Sequence, residues 1–326
     1  MMKKGFFFVL LIGVLVLAYS LSSELNIAKE KISVPELLPL KLRYKVGETL
    51  YYRLARESFD FKLDGTKSGE MKVVTYFTRT RLENDSQGRV NEKFTWKGFW
   101  FGQSLTPEPA KMTEFKASEN FTLHHSVNDD EALSKYDFSS LPRTMEGFFF
   151  MILTWDAVTF DGMVRPTKYF PIPDKARIGS EFRETRKPPD LVFEYPPLVT
   201  DSKYSFSGKS SSKVLGMTVV RNIPCAIIES ANLGNRVFMN IHLKPIEVRT
   251  QGFEHFWAKA YLSLEDGRIV RGELMGPVTL IQDLQMPGQE KPKRMESLTI
   301  GYLEMDLLSE EEFKDELKKL REQNIQ

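Results

Sequence analysis

Between Phe256 and Glu265 the chain alternates at every residue: Phe256, Ala258, Ala260, Leu262 and Leu264 interleave with Trp257, Lys259, Tyr261, Ser263 and Glu265. A period of two belongs to a strand with one face against a core. Asp266-Gly267 follows. That pair predicts a type I′ hairpin turn, with Glu265 set beside Arg268 as a cross-strand charge pair. The pattern repeats in FDFKLDGTKSGEMKV, where Phe59, Phe61 and Leu63 lead into Asp64-Gly65. Further turns are expected at NDSQGR, ending at Arg89, and at NLGNR, ending at Arg236. Strands are expected over 49–63, 69–83, 89–101, 199–216, 217–230, 235–251, 255–265, 268–285 and 293–306.

The fold class that follows is mainly β: a curved antiparallel sheet or sheets, or a half-barrel, with one central apolar helix and a C-terminal helix. The central helix is expected near 142–156, in SSLPRTMEGFFFMILTWDAVTF. Ser140 and Pro142 can open it, and apolar residues fall at Met145, Phe148, Phe149, Ile152 and Trp155. A buried strand is the rival reading, because Phe148 to Leu153 alone does not separate the two. The C-terminal helix is expected over 309–324. Ser309 with Glu312 forms a capping box, Leu308 with Phe313 a hydrophobic staple, and Phe313, Leu317 and Leu320 an apolar stripe that docks or protrudes as a partner-binding arm.

The domain order expected is a signal peptide over 1–20, a leader over 21–40, a first β segment over 41–165, a Pro-rich connection over 166–197, a second β segment over 198–308, and the helix. Seven of the 17 prolines fall in the connection, and repeated Pro interrupts sheet ladders. A faint echo joins the segments: KVGETLYYRL at Lys45 and RIGSEFRETR at Arg177 each open one, as a duplication or as the common start of a β module.

The first twenty residues carry Lys3 and Lys4, an apolar run from Phe6 to Leu17, and the small-residue site Ala18-Tyr19-Ser20. That is the plan of a secretory signal, shorter than a membrane span. No cysteine follows it to carry lipid, so the expected location is periplasmic or secreted, with no stable membrane span after cleavage. The 45 Lys and Arg, less Lys3 and Lys4, face 44 Asp and Glu, mixed along the chain. A concentrated basic face is missing, which argues against nucleic-acid partners. The single cysteine, Cys225, allows no internal disulfide and reads as an inert buried thiol.

Over about residues 200–285, SSSKVLGMTVVRNIPCAIIES followed by HFWAKAYLSLEDGRIVRG resembles uncharacterised exported bacterial β proteins that are similar in outline to lipoprotein-localisation factors. The resemblance implies a strongly curved half-barrel, closed on one side by helices and often holding an apolar cavity; carriers of that kind bind acyl chains there. It carries over no functional residue, because the matched positions are turn glycines and core residues.

Catalytic signatures are sparse. His124, His125, His242 and His255 stand in no zinc spacing, so no metal or cofactor is expected. Glu146, Asp156 and Asp161 are the alternative catalytic set, as the acid and base of a hydrolase acting on an envelope polymer. Trp96, Phe99, Trp100, Phe148, Phe149 and Trp155 could line a cavity or fill an ordinary core. The leading expectation is an exported, envelope-associated binding protein rather than an enzyme, whose partner is an apolar small molecule, a lipid or an envelope protein. The alternatives are the hydrolase and a structural or interaction module that uses the C-terminal helix.

Overall fold

A computed structural model describes residues 36–40, 43, 45–84, 90–114, 122–127, 143–144, 147–148, 150–151, 173–187, 190, 192, 194–243 and 245–323. The expected signal peptide and most of the leader, the turn at NDSQGR, and most of the 142–156 segment lie outside them. Gly147, Phe148, Phe150 and Met151 have helical backbone. Thr144 opens that turn, its Oγ1 accepting from the Gly147 N–H at 3.4 Å.

The strands are β1 (Leu38–Pro39), β2 (Thr49–Phe61), β3 (Lys67–Arg81), β4 (Val90–Ser104), β5 (Thr113–Glu114), β6 (Thr122–Val127) and β7 (Lys175–Ala176). They continue with β8 (Glu181–Arg183), β9 (Val199–Ser205), β10 (Ser210–Val220), β11 (Ile223–Leu243), β12 (Ile246–Ser263), β13 (Ile269–Gln285) and β14 (Lys293–Leu308). Twelve form one curved antiparallel sheet, ordered β5-β4-β3-β2-β14-β13-β12-β11-β10-β8, with β6 also on β4 and β9 also on β11. Its two ends do not pair with each other, so it is not closed into a barrel. Strands β1 and β7 make a separate pair, and fully buried Leu38 and Leu40 join the core ahead of Lys41.

Alternation sorts the side chains onto two faces. The core face takes Leu50, Tyr52 and Leu54 from β2, Leu303, Met305 and Leu307 from β14, and Ala258, Ala260 and Leu262 from β12. On the outer face the C-terminal helix (Glu310–Gln323) lays Phe313, Leu317 and Leu320 against Tyr51, Val74, Tyr76 and Trp100. The helix therefore docks, and its apolar stripe is occupied. Its capping box is reciprocal: Ser309 N–H donates to Glu312 Oε2 at 2.8 Å, and Glu312 N–H to Ser309 Oγ at 3.2 Å. Gly98 lets the helix close in, since a Cβ there would stand 3.0 Å from Leu317 Cδ1.

Several turns differ from expectation. The β12–β13 connection is not type I′: only Gly267 has positive φ, and Arg268 turns back onto Asp266 and Glu48 rather than pairing with Glu265. The chain also does not turn at NLGNR. Strand β11 continues through it as a bulge between Asn232 and Asn235, where the Gly234 N–H donates to His255 Nδ1 at 3.0 Å. The β10–β11 hairpin instead turns on Arg221 and Asn222, both at positive φ as a type I′ turn requires. The echo between the segments has a structural counterpart. Gly47 N–H donates to Arg81 O while Arg81 N–H returns to Glu48 O, and Gly179 N–H donates to Val214 O while Val214 N–H returns to Ser180 O.

Candidate functional site

A β-bulge decides where the predicted aromatic set goes. The register of β3 on β4 shifts between Tyr76 and Phe77, which puts Trp96 and Phe99 on the core face and Trp100 on the outer one. Phe150 fills the space between the first two, its ring 5.6 Å from Trp96 and 4.8 Å from Phe99. Trp96, Phe99, Trp100 and Phe150 are all fully buried. Phe148 packs on Tyr195 at 6.2 Å. This end of the sheet is packed core, and Trp100 belongs to the seat of the C-terminal helix. Phe149 and Trp155, and the alternative carboxylates Glu146, Asp156 and Asp161, lie outside the described residues.

The middle of the same face is built differently. Gly276 of β13 stands opposite Gly301 of β14, which stands opposite buried Ser58 of β2. Among the described residues a Cβ on Gly301 would meet only the Gly276 carbonyl oxygen, at 3.6 Å. Neither glycine has positive φ. Their backbone therefore does not require glycine, and what the residue type supplies here is room. Partly buried Phe256, Leu274 and Met71 flank this trough, with Phe256 Cβ 3.8 Å from the place a Gly276 Cβ would take.

Beyond Phe256 the floor turns polar while staying buried. Asn232 is the cross-strand partner of Phe256, and Ser210 of Asn232. Ser212 and Ser230 share a hydrogen bond of 2.7 Å, and Asn235 Nδ2 donates to Tyr204 OH at 2.7 Å. Burial, with Glu254 nearby, raises the Tyr204 phenol well above its ordinary pKa. Among the described residues the buried Asn232 Oδ1 has no hydrogen-bond partner. Glu184 is tied to Ser210 through its backbone N–H, which donates to Ser210 O at 3.1 Å. Burial also pushes the Glu184 carboxyl up, and hydrogen bonds to it from the Ser210 side chain and backbone oppose this only in part. Each unsatisfied buried polar atom costs about 1–3 kcal/mol.

A separate depression of about 470 Å³ is lined by Pro196, Pro197, Thr200, His242, Pro245, Ile246 and Glu247. His242 Nε2 lies 2.7 Å from Thr200 Oγ1, and Nδ1 lies 3.6 Å from Glu247 Oε1. Glu247 is 71% exposed and beyond hydrogen-bond reach, so these residues form a cross-strand row and not a water-excluded relay. Among the described residues no three His, Cys, Asp or Glu side chains gather as a metal site. Cys225 is fully buried, and burial pushes its thiol up to about 12. Sequence reasoning missed the trough. Its signal, Gly276 and Gly301 falling in apolar runs, acquires meaning only once the register sets them side by side.

No family model matches the chain, and no curated protein matches it. Among solved structures it is similar to a DUF1329 family protein from Desulfovibrio piger, at 8% identity over 81% of this chain and 89% of that one, with a TM-score of 0.15. It is also similar to OmpT, an outer membrane protein of Vibrio cholerae, at 7% identity over 81% of this chain and 100% of that one, again with a TM-score of 0.15. Likenesses this weak carry no argument. Among the described residues no helix is long and apolar enough to cross a membrane.

Proposed function

We propose that this chain is an exported, envelope-associated binding protein that holds an apolar molecule against the core face of its sheet. The observation that supports this reading is the trough over Gly276 and Gly301, where among the described residues a Gly301 Cβ would meet one carbonyl oxygen, flanked by the partly buried Phe256, Leu274 and Met71. Interior strand positions without side chains forgo packing, and adjacent ones on a core face leave a concavity that apolar surface can fill. The aromatic end around Trp96 and Phe99 serves this role as a rigid wall, because it is already packed. Native mass spectrometry of the protein purified from its own host is the test. A co-purifying apolar species, lost on organic extraction, is expected. A bare mass from material that also fails to take up an added long-chain ester would overturn the reading.

A further inference from the structure

The C-terminal helix covers the outer face of the sheet at Tyr51, Val74, Tyr76 and Trp100. Further along that face, on β12, β13 and β14, a second apolar area is exposed. Trp257, Met275 and Tyr302 are cross-strand neighbours in one row, 40%, 39% and 41% exposed. Four residues along β12, Phe253 is 49% exposed and shares a row with Thr279 and Leu298. Pro277 and Ile300 pair between the two rows, and alternation puts them on the same face. Arg236 lies over the Phe253 ring at 5.5 Å. One end of the area is closed by the charged row Lys259, Glu273 and Glu304, the other by Gln251, Ile281 and Glu296. A contiguous exposed apolar area with a polar rim marks an interaction surface. Aromatic residues, Met and Arg around a centre without charge are the composition of a protein–protein contact.

We propose that a second copy of this chain covers the area, face to face, about a two-fold axis running along β13. The inference is independent of the apolar-binding reading, which concerns the opposite face. The rotation exchanges β12 with β14 and keeps each row in register. Trp257 then meets Tyr302 of the second copy, Phe253 meets Leu298, Gln251 meets Glu296, and Lys259 meets Glu304, while Met275 meets itself. Off the axis, apolar groups face apolar groups, the amide faces a carboxylate, and the cation faces an anion. Glu273, on the axis, is held by its own Arg271 at 2.8 Å. The next row, Arg249, Asp283 and Arg294, limits the contact, because the same rotation would bring Arg249 to Arg294. From Lys259 to Gln251, across β11 to β2, the face measures about 27 Å by about 24 Å, so two copies cover about 1,300 Å² together, as stable dimers do. The rim carries both signs, which suits a second copy better than an anionic bilayer, because Glu273, Glu296 and Glu304 would oppose the bilayer.

Sedimentation velocity of the protein purified from its own host should give the mass of a dimer at about 10 μM. Met275→Glu sets a carboxylate against its own copy at the centre of the contact and should weaken association at least about a hundredfold. Lys259→Glu and Glu304→Lys, each alone, put like charges together at two places and should weaken it about tenfold. An equimolar mixture of those two variants should recover a dimer of one copy of each, because opposite charges then meet at both places. All three positions lie on the outer face, so circular dichroism should be unchanged in every variant. A monomer at that concentration, a dimer indifferent to Met275→Glu, or a mixture no more associated than its components overturns the inference. So does a monomer that binds phosphatidylglycerol vesicles and loses them on Met275→Glu, which would assign the area to a bilayer.

Discussion

Gly276 and Gly301 stand directly opposite each other on adjacent strands, and among the described residues the nearest atom to the missing Gly301 side chain is the carbonyl oxygen of Gly276. Both lie in strand interiors and both have ordinary strand backbone. Glycine there costs backbone entropy and gains nothing in conformational freedom. Gly301→Ala should therefore raise stability by about 0.5–1 kcal/mol, read from the shift in a denaturant midpoint.

Arg79 and Glu92 form an ion pair inside the core, with Arg79 Nε and Nη2 donating to Glu92 Oε2 at 3.1 and 2.5 Å. The guanidinium also lies over the rings of Phe94 and Tyr52, at 5.1 and 5.8 Å. Removing one partner leaves the other charge buried without its ion pair. Glu92→Leu or Arg79→Met alone should cost about 3–5 kcal/mol in urea unfolding, and the double variant should cost much less than their sum.

Glu70 carries a pH dependence of definite sign. A hydrogen bond from Lys67, followed by Lys72 and the Ala110 N–H, holds its carboxyl at about 2 against burial, which acts the other way. A folded-state value below the ordinary 4.5 means the contribution is complete above about 4.5 and disappears as pH falls toward about 2. In acid titrations followed by circular dichroism, Glu70→Gln should be less stable than the unsubstituted chain near neutrality. The two curves should converge as pH drops through that window.

Docking of the C-terminal helix depends on Phe313, whose ring lies 5.3 Å from Tyr51 and 5.6 Å from Tyr76. Phe313→Ala should cost about 3–5 kcal/mol and red-shift tryptophan emission as Trp100 is uncovered. Ser309→Ala, which removes only the cap, should cost about 1 kcal/mol and leave the emission unchanged.

The buried Cys225 thiol should be inert while the fold persists. Reaction with an aromatic disulfide reagent at mildly alkaline pH is expected at below about one-hundredth of the rate in denaturant.

Much of the sheet was legible because strand burial repeats every two residues, and alternation such as Leu50, Tyr52, Leu54 is visible without coordinates. The C-terminal helix was legible for the same local reason, since Ser309, Glu312 and Phe313 lie within one turn. Bulges were not. The extra residue of β4 near Trp96 reverses which face Phe99 and Trp100 occupy, and Leu233-Gly234 absorbs into β11 what reads locally as a turn. The candidate site was hidden for a further reason. It consists of missing side chains at Gly276 and Gly301, whose meaning comes from neighbours distant in the chain.

The trough is tested most directly by filling it. Gly301→Val adds a Cβ where, among the described residues, one carbonyl oxygen stands within 4 Å, and valine suits strand backbone, so the fold should persist with unchanged circular dichroism. Titration with an environment-sensitive apolar dye should then show at least about tenfold weaker binding than the unsubstituted chain. Undiminished dye affinity in a folded Gly301→Val protein would contradict the account.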